Sequence, residues 1–251
     1  MRLPQTRRAR AVASLSVLGT LVATSLVVGP PGSREDAPRG APPPRSARHQ
    51  GPRPAIVPRA AWHAEAVSTA PAARYAPAVR AAVIHHTSTP NGYACASVPA
   101  TLRDVYAGHA HGRDWDDIGY NFLVDACGTV YEGRAGGVDR AVVGAHTKGL
   151  NEGTVGIAAI GTFGEGTEVP EPMLDAIARL VAWKLDPEGA DPRGTVTLVS
   201  TSDESRFEEG TTAVLPVVSG HMDGYPTRCP GAALYAKLPD ISARAARLQR
   251  R

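Results

Sequence analysis

The chain has 251 residues, enough for one large or two small domains, and its 43% hydrophobic and 5% aromatic content fits an ordinary globular core. Its net charge of +3 is unevenly placed: ten arginines against Glu35 and Asp36 give the first 60 residues a balance of +8, which leaves 17 basic and 22 acidic residues, or −5, for the remainder. A folded part of that sign lacks the basic face that neutralises phosphates, which excludes nucleic acid as a partner.

Residues 1–28 open with Arg7, Arg8 and Arg10 ahead of the apolar stretch Ala11 to Val28. That is the layout of a secretory signal, and export is the expected fate. The stretch exceeds a minimal signal core and has no clean Ala-x-Ala site, so retention as an N-terminal membrane anchor is the alternative. Residues 29–58 are rich in Pro, Arg, Gly and Ala with few large apolar side chains. Such a segment cannot bury enough surface to order itself, and a disordered tether is expected. The folded domain is expected over 59–251.

Within it, Ala81-Ala82-Val83-Ile84 reads as a buried strand that delivers His85 to a sheet edge. His86 then points to the opposite face, so one of the two histidines can address a metal, and His85 is the candidate. Ser97 caps an expected helix carrying Leu102, Val105, Tyr106 and His109 at helical spacing. Ile118 to Val124 and Thr129 to Glu132 flank the turn Asp125-Ala126-Cys127-Gly128 and predict a β-hairpin. Tyr120 stands at its entrance, where a phenol reaches into a cleft or packs at the core edge. Ala141 to Thr147 reads as a short strand ending in His146, Val155 to Gly161 as a central strand, and Glu171 to Leu185 as the clearest helix. Residues 186–214 form either a binding-face excursion or, through Thr195 to Ser200, part of a hairpin. Leu215 to Ser219 is the last expected strand, and Ala232 to Leu238 and Asp240 to Leu248 are helices separated by Pro239. The interleaving predicts an α/β fold: a single domain with a central mixed β-sheet covered by helices on both faces.

Gly220 to Gly231 sets His221 and Cys229 eight positions apart in one loop punctuated by Gly224, Pro226 and Pro230-Gly231. A catalytic zinc takes three protein ligands and keeps a fourth position open, so His85 is the natural third. An exported chain with three cysteines closes one disulfide and leaves one thiol. Cys95 and Cys127 lie far from the metal loop in sequence and are the expected pair, which leaves Cys229 as the thiolate ligand.

Five stretches in order, Val83-Ile84-His85-His86-Thr87, Trp115 to Phe122, Tyr131-Glu132-Gly133-Arg134, Gly144-Ala145-His146-Thr147 and Gly220-His221 through Thr227-x-Cys229-Pro230-Gly231, resemble the zinc-dependent N-acetylmuramoyl-L-alanine amidases, a family that includes the peptidoglycan recognition proteins. The resemblance runs from about Arg59 to the C-terminus and is nearer to the secreted bacterial members. It implies Zn2+ held by His85, His221 and Cys229, catalytic assistance from Tyr120, and peptidoglycan as the partner, with the chain secreted or associated with the cell wall. Thr227 occupies a position where some members carry a catalytic lysine. Met222 stands where many relatives have arginine, and Ala158 where the cytosolic branch has glutamate. The implied reaction is hydrolysis of the amide between N-acetylmuramic acid and L-alanine. The rival readings are a receptor module that binds peptidoglycan without cutting it, and a cysteine hydrolase using Cys229, His221 and Asp223.

Overall fold

The computed structural model describes residues 51–64, 72–113 and 115–250. The leader over 1–28 and most of the tether over 29–58 lie outside the described residues. Among the described residues no helix is long and apolar enough to cross a membrane.

The described residues form eight strands: β1 (Ile56–Val57), β2 (Ala81–His86), β3 (Phe122–Val124), β4 (Val130–Glu132), β5 (Thr154–Ala159), β6 (Thr195–Val199), β7 (Thr212–Pro216) and β8 (Val218–Gly220). The helices are α1 (Val98–Ala110), α2 (Glu171–Leu185), the short turns α3 (His221–Gly224) and α4 (Ala232–Tyr235), and α5 (Leu238–Leu248). Six strands form one mixed sheet in the order β1-β4-β3-β5-β2-β8, with β3 and β4 antiparallel and the other pairs parallel. The central strands β2 and β5 are apolar on both faces, as parallel strands covered on both sides must be.

One face packs Ile84, Phe122, Val124 and Ile157 against α2 through Met173, Leu174, Ile177 and Val181, with α5 alongside. The other packs Leu123, Tyr131, Ala158 and Ile160 against Trp62 and the Val98, Leu102 and Tyr106 stripe of α1. Side chains alternate along a strand, and the register row Leu123, Ala158, His85 therefore puts His85 on the α1 face. The parallel strands β2 and β8 both end at one rim of the sheet, where His85 is the penultimate residue of β2 and His221 follows β8 directly. That rim, beyond the carboxyl ends of parallel strands, is where α/β sheets open a crevice.

The Cys95–Cys127 disulfide, with Cα atoms 6.4 Å apart, ties the approach to α1 to the β3–β4 turn. Asp125 organises that turn by accepting hydrogen bonds from the backbone of Cys127 and Thr129 and from the Tyr131 hydroxyl. Asp117 is also structural: it forms a buried ion pair with Arg59 at 3.2 Å and accepts from the Ile118 and Ala135 backbones. Asn121 stitches the sheet to its neighbouring loop, accepting from Gly156 N and donating to Val142 O.

Several expectations are corrected. The tether does not extend to residue 58: Ile56–Val57 pairs with β4 at the sheet edge, the Arg53 guanidinium lies 5.4 Å from the Trp183 ring, and Gly51 runs against the α2 backbone at Ala182. Residues 141–147 are not a strand. Only Val142 bridges, to Tyr75, where Val143 N donates to Arg74 O and Ala76 N to Ala141 O; beyond it the ladder stops and Ala145 N donates instead to Gly119 O. The run through residue 219 is two strands broken at Val217. The first pairs with β6 as a separate two-stranded ribbon and the second joins the main sheet beside β2. Pro239 does not separate two helices; it sits in the first turn of α5, where a missing N–H costs nothing. Ser97 spends its hydroxyl on Ala94 O rather than on the α1 terminus.

Candidate metal centre

The loop after β8 is built to return on itself. Gly220 N donates to Asp223 Oδ2, Tyr235 Oη donates to Asp223 Oδ1, and Met222 N donates to Cys229 O, which closes the loop from His221 to Cys229. Gly220 is required at the hinge: a Cβ there would stand 2.7 Å from the Tyr235 ring and 3.0 Å from Pro230. Because both Asp223 oxygens are used in this way, Asp223 is a loop brace rather than an orienting acid for His221, which removes the support for a cysteine hydrolase.

The loop brings His221 and Cys229 against the end of β2. One ligand atom from each of His85, His221 and Cys229 lies within 4.8 Å of the others. His85 Nδ1 is 3.7 Å from Cys229 Sγ, and the His85 and His221 rings are 4.5 Å apart. Cys229 Sγ also accepts from His86 N at 3.3 Å. His85 is fully buried.

Burial dominates the protonation of all three. Desolvation, reinforced by neighbouring histidines, holds the His85 imidazole well below its ordinary value, and desolvation pulls His221 down to about 4. Both imidazoles therefore keep a lone pair at neutral pH. Desolvation pushes the Cys229 thiol up to about 12, only partly offset by the His86 N–H. A thiolate here calls for a cation. Two neutral imidazoles and a sulfur converging on one point are the donor set that suits a tetrahedral zinc site, so these residues fit the ion.

Tyr120 stands beside this cluster, its ring 5.2 Å from that of His85 and its hydroxyl donating to His86 O at 3.4 Å. Burial first, and the Cys229 sulfur second, raise the phenol above its ordinary value, so it stays protonated. Thr227 is half-buried, and its Oγ1 accepts from Cys229 N at 3.2 Å, which leaves the hydroxyl proton to be directed elsewhere. A cleft of about 390 Å³ opens next to His221, lined by Arg113, Trp115, His146, Asn151 and Tyr225, with the Lys148–Glu204 ion pair at its wall. The long excursion over 186–214 thus does contribute to this face through Glu204. The sequence places His146 within one of the five resembling stretches but assigns it no role, since its position after Gly144-Ala145 carries no ligand spacing.

A family model described as N-acetylmuramoyl-L-alanine amidase matches residues 74–232. The chain belongs to this family. Among the amidase family's relatives in Drosophila melanogaster, peptidoglycan-recognition protein LB is 31% identical over 160 residues, covering 62% of this chain and 56% of that one. Peptidoglycan-recognition protein LE of the same organism is 42% identical over a shorter stretch of 85 residues, covering 34% and 24%. The chain thus spans little more than half the length of protein LB and about a quarter of that of protein LE. Among solved structures, wild-type Drosophila PGRP-LB aligns with a TM-score of 0.57 at 26% identity over 73% of this chain and 92% of that one. Human PGRP-IβC, solved in complex with glycosamyl muramyl pentapeptide, aligns with a TM-score of 0.56 at 27% identity over 73% and 94%. A tyrosine-to-phenylalanine mutant of PGRP-LB, solved with tracheal cytotoxin, aligns with a TM-score of 0.57 at 26% identity over 73% and 92%.

Proposed function

We propose that this chain is an exported, zinc-dependent amidase that hydrolyses the bond between N-acetylmuramic acid and L-alanine in peptidoglycan, acting in secreted form or at the cell wall. The observation that carries the reading is the convergence of His85, His221 and Cys229, with His221 also lining an open cleft. Peptidoglycan as the partner is supported by the relatives solved with muramyl pentapeptide and tracheal cytotoxin.

His85, His221 and Cys229 would hold the ion, which supplies Lewis-acid chemistry for amide hydrolysis when bound. The chain's own groups do the rest. Water adds to the lactyl carbonyl carbon, the C–N bond breaks, and the amine of L-alanine leaves with a proton. Charge develops on the carbonyl oxygen, and Tyr120 and Thr227 are the neutral donors at hand. The Tyr120 hydroxyl, held at rest on His86 O, stays protonated because of its burial. The Thr227 hydroxyl is oriented by accepting from Cys229 N, so its own proton faces away from that bond. The cleft beside His221, with Trp115 and Tyr225 as flat apolar walls and Arg113 as a cation, suits a short peptide bearing carboxylates.

The test is zinc content measured together with cleavage of purified peptidoglycan. The parent protein is expected to hold one zinc and to release N-terminal L-alanine, and Cys229→Ser to lose both. Full zinc and full activity in that variant sink the ligand assignment. A parent that binds peptidoglycan but releases no L-alanine is instead the non-catalytic receptor.

A further inference from the structure

His85 has a second ring nitrogen that the ligand set does not use. Nδ1 faces Cys229 at 3.7 Å, whereas Nε2 faces inward, 3.1 Å from His146 Nδ1 and 3.5 Å from Thr147 Oγ1. A ring nitrogen that presents its lone pair to an ion leaves the proton on the other, and the hydrogen bond made by that other nitrogen selects the tautomer. We propose that His146 is the positioning residue for His85: it accepts the Nε2 proton and so holds Nδ1 with its lone pair toward His221 and Cys229 before any ion arrives. This rests on the metal-site reading above.

The surrounding bonds are consistent from end to end. With Nδ1 as acceptor, His146 carries its proton on Nε2, which lies 3.5 Å from Thr154 Oγ1. Thr154 spends its hydroxyl proton on Leu150 O at 2.7 Å and so has a lone pair to offer. Thr147 Oγ1 lies 3.0 Å from His146 Nδ1 and 3.5 Å from His85 Nε2; since Nδ1 has a single lone pair, the Thr147 hydroxyl proton points away from it when Nδ1 accepts from His85.

The ring is also locked in place. A Cβ on either Gly144 or Gly156 would come within 2.4 Å of the His146 ring. Gly156 is in the middle of β5, so the central strand forgoes a side chain to admit this imidazole. Asn151 Oδ1 fixes the backbone, accepting from His146 N at 2.8 Å and Thr147 N at 2.9 Å. The two imidazoles meet edge to face, with centroids 5.0 Å apart. A slot made only for packing would take an aliphatic side chain without the cost of burying a polar ring; here the acceptor is aimed at His85.

Partners that orient a metal-ligating histidine typically change metal affinity by roughly 10–100-fold when removed. The full chain, His146→Leu and His146→Asn are compared by zinc competition against a chromophoric chelator, by 15N NMR of the His85 ring in the metal-free protein, and by metal-free melting. We expect His146→Leu to weaken zinc by about 10–100-fold and to let His85 populate both tautomers, with metal-free melting little changed. His146→Asn, whose Oδ1 stands on Cγ where Nδ1 does and can take the same proton, is expected to restore affinity to within a few-fold. Zinc affinity for His146→Leu within twofold of the parent, with an unchanged His85 signature, overturns the proposal. Should His146→Leu fail to fold, His146→Gln, whose amide lies one carbon beyond the Nδ1 position, takes its place, and equal affinity for the Asn and Gln variants overturns it. A parent that takes up no zinc sinks the amidase reading; the His85 tautomer in the metal-free protein then decides the His146 contact by itself.

Discussion

Tyr120 and Thr227 each bond to the backbone of the ligand-bearing segments, one donating to His86 O and the other accepting from Cys229 N. Neither hydroxyl is needed to hold the ligand set, so both can change partner as charge develops on a substrate. Interactions made only in the transition state raise kcat, and loss of one such donor typically lowers kcat by about 10²–10³-fold. Tyr120→Phe and Thr227→Ala are therefore expected to lower kcat with KM nearly unchanged and zinc retained. Steady-state kinetics with a muramyl peptide, paired with metal analysis, checks this. A rise in KM alone for Tyr120→Phe would make it a substrate-binding residue. If both donors serve one oxygen, the double variant should lose no more than the worse single one.

At the scale of elements, the loop between β8 and α4 depends on Asp223, which satisfies two donors at once. Asp223→Ala leaves Gly220 N and the Tyr235 hydroxyl without this acceptor. It is expected to cost about 0.5–2 kcal/mol, the usual worth of a lost terminal cap, and to weaken zinc as well. Chemical denaturation with and without chelator separates the two effects, and an unchanged midpoint in both would show the brace to be idle. The Cys95–Cys127 link spans 32 residues, and on the chain-entropy model its removal should cost roughly 3–4 kcal/mol; urea unfolding of the double serine variant measures it.

Elements of this kind differ in how far they can be read from sequence. The strand before His85 and the helix from Glu171 to Leu185 carry their periodicity locally, and both are where the pattern puts them. The two residues of β1 are too few to show any period inside a Pro- and Arg-rich run. The break at Val217 is invisible because β7 and β8 differ only in their partners, and partners are a tertiary property. His85, His221 and Cys229 were legible from residue type, strand end and loop punctuation. His146 was not, because its meaning depends on a slot formed by Gly144 and Gly156 from two separate segments.

For the molecule as a whole, the consequence of burying so many imidazoles is a defined response to acid. Desolvation lowers His109 and His221 to about 4 and His146 to about 3, and His85 is lowered as well. In the unfolded chain these groups titrate near 6.5. Above that value both states hold the rings neutral, and the histidines leave stability independent of pH. Below it the unfolded state binds protons that the native state refuses, so stability falls as pH drops, until the folded values of about 4 to 3 are passed. Each such ring contributes a slope of up to ~1.4 kcal/mol per pH unit within its window. The melting temperature of the metal-free protein is therefore expected to be insensitive to these groups near pH ~7 and to drop steeply from about 6.5 toward about 4. His109 is the one to remove, because it lies on α1 and is not one of the ligands, and its Nδ1 accepts from Gly119 N at 3.1 Å. His109→Asn, whose Oδ1 stands where Nδ1 does, can keep that acceptor without a titrating ring, and should flatten the acid limb while leaving the neutral plateau in place. Thermal melts from pH 4 to 8 in the presence of chelator measure both. An acid limb of the same steepness in His109→Asn would mean that the loss of stability comes from other groups.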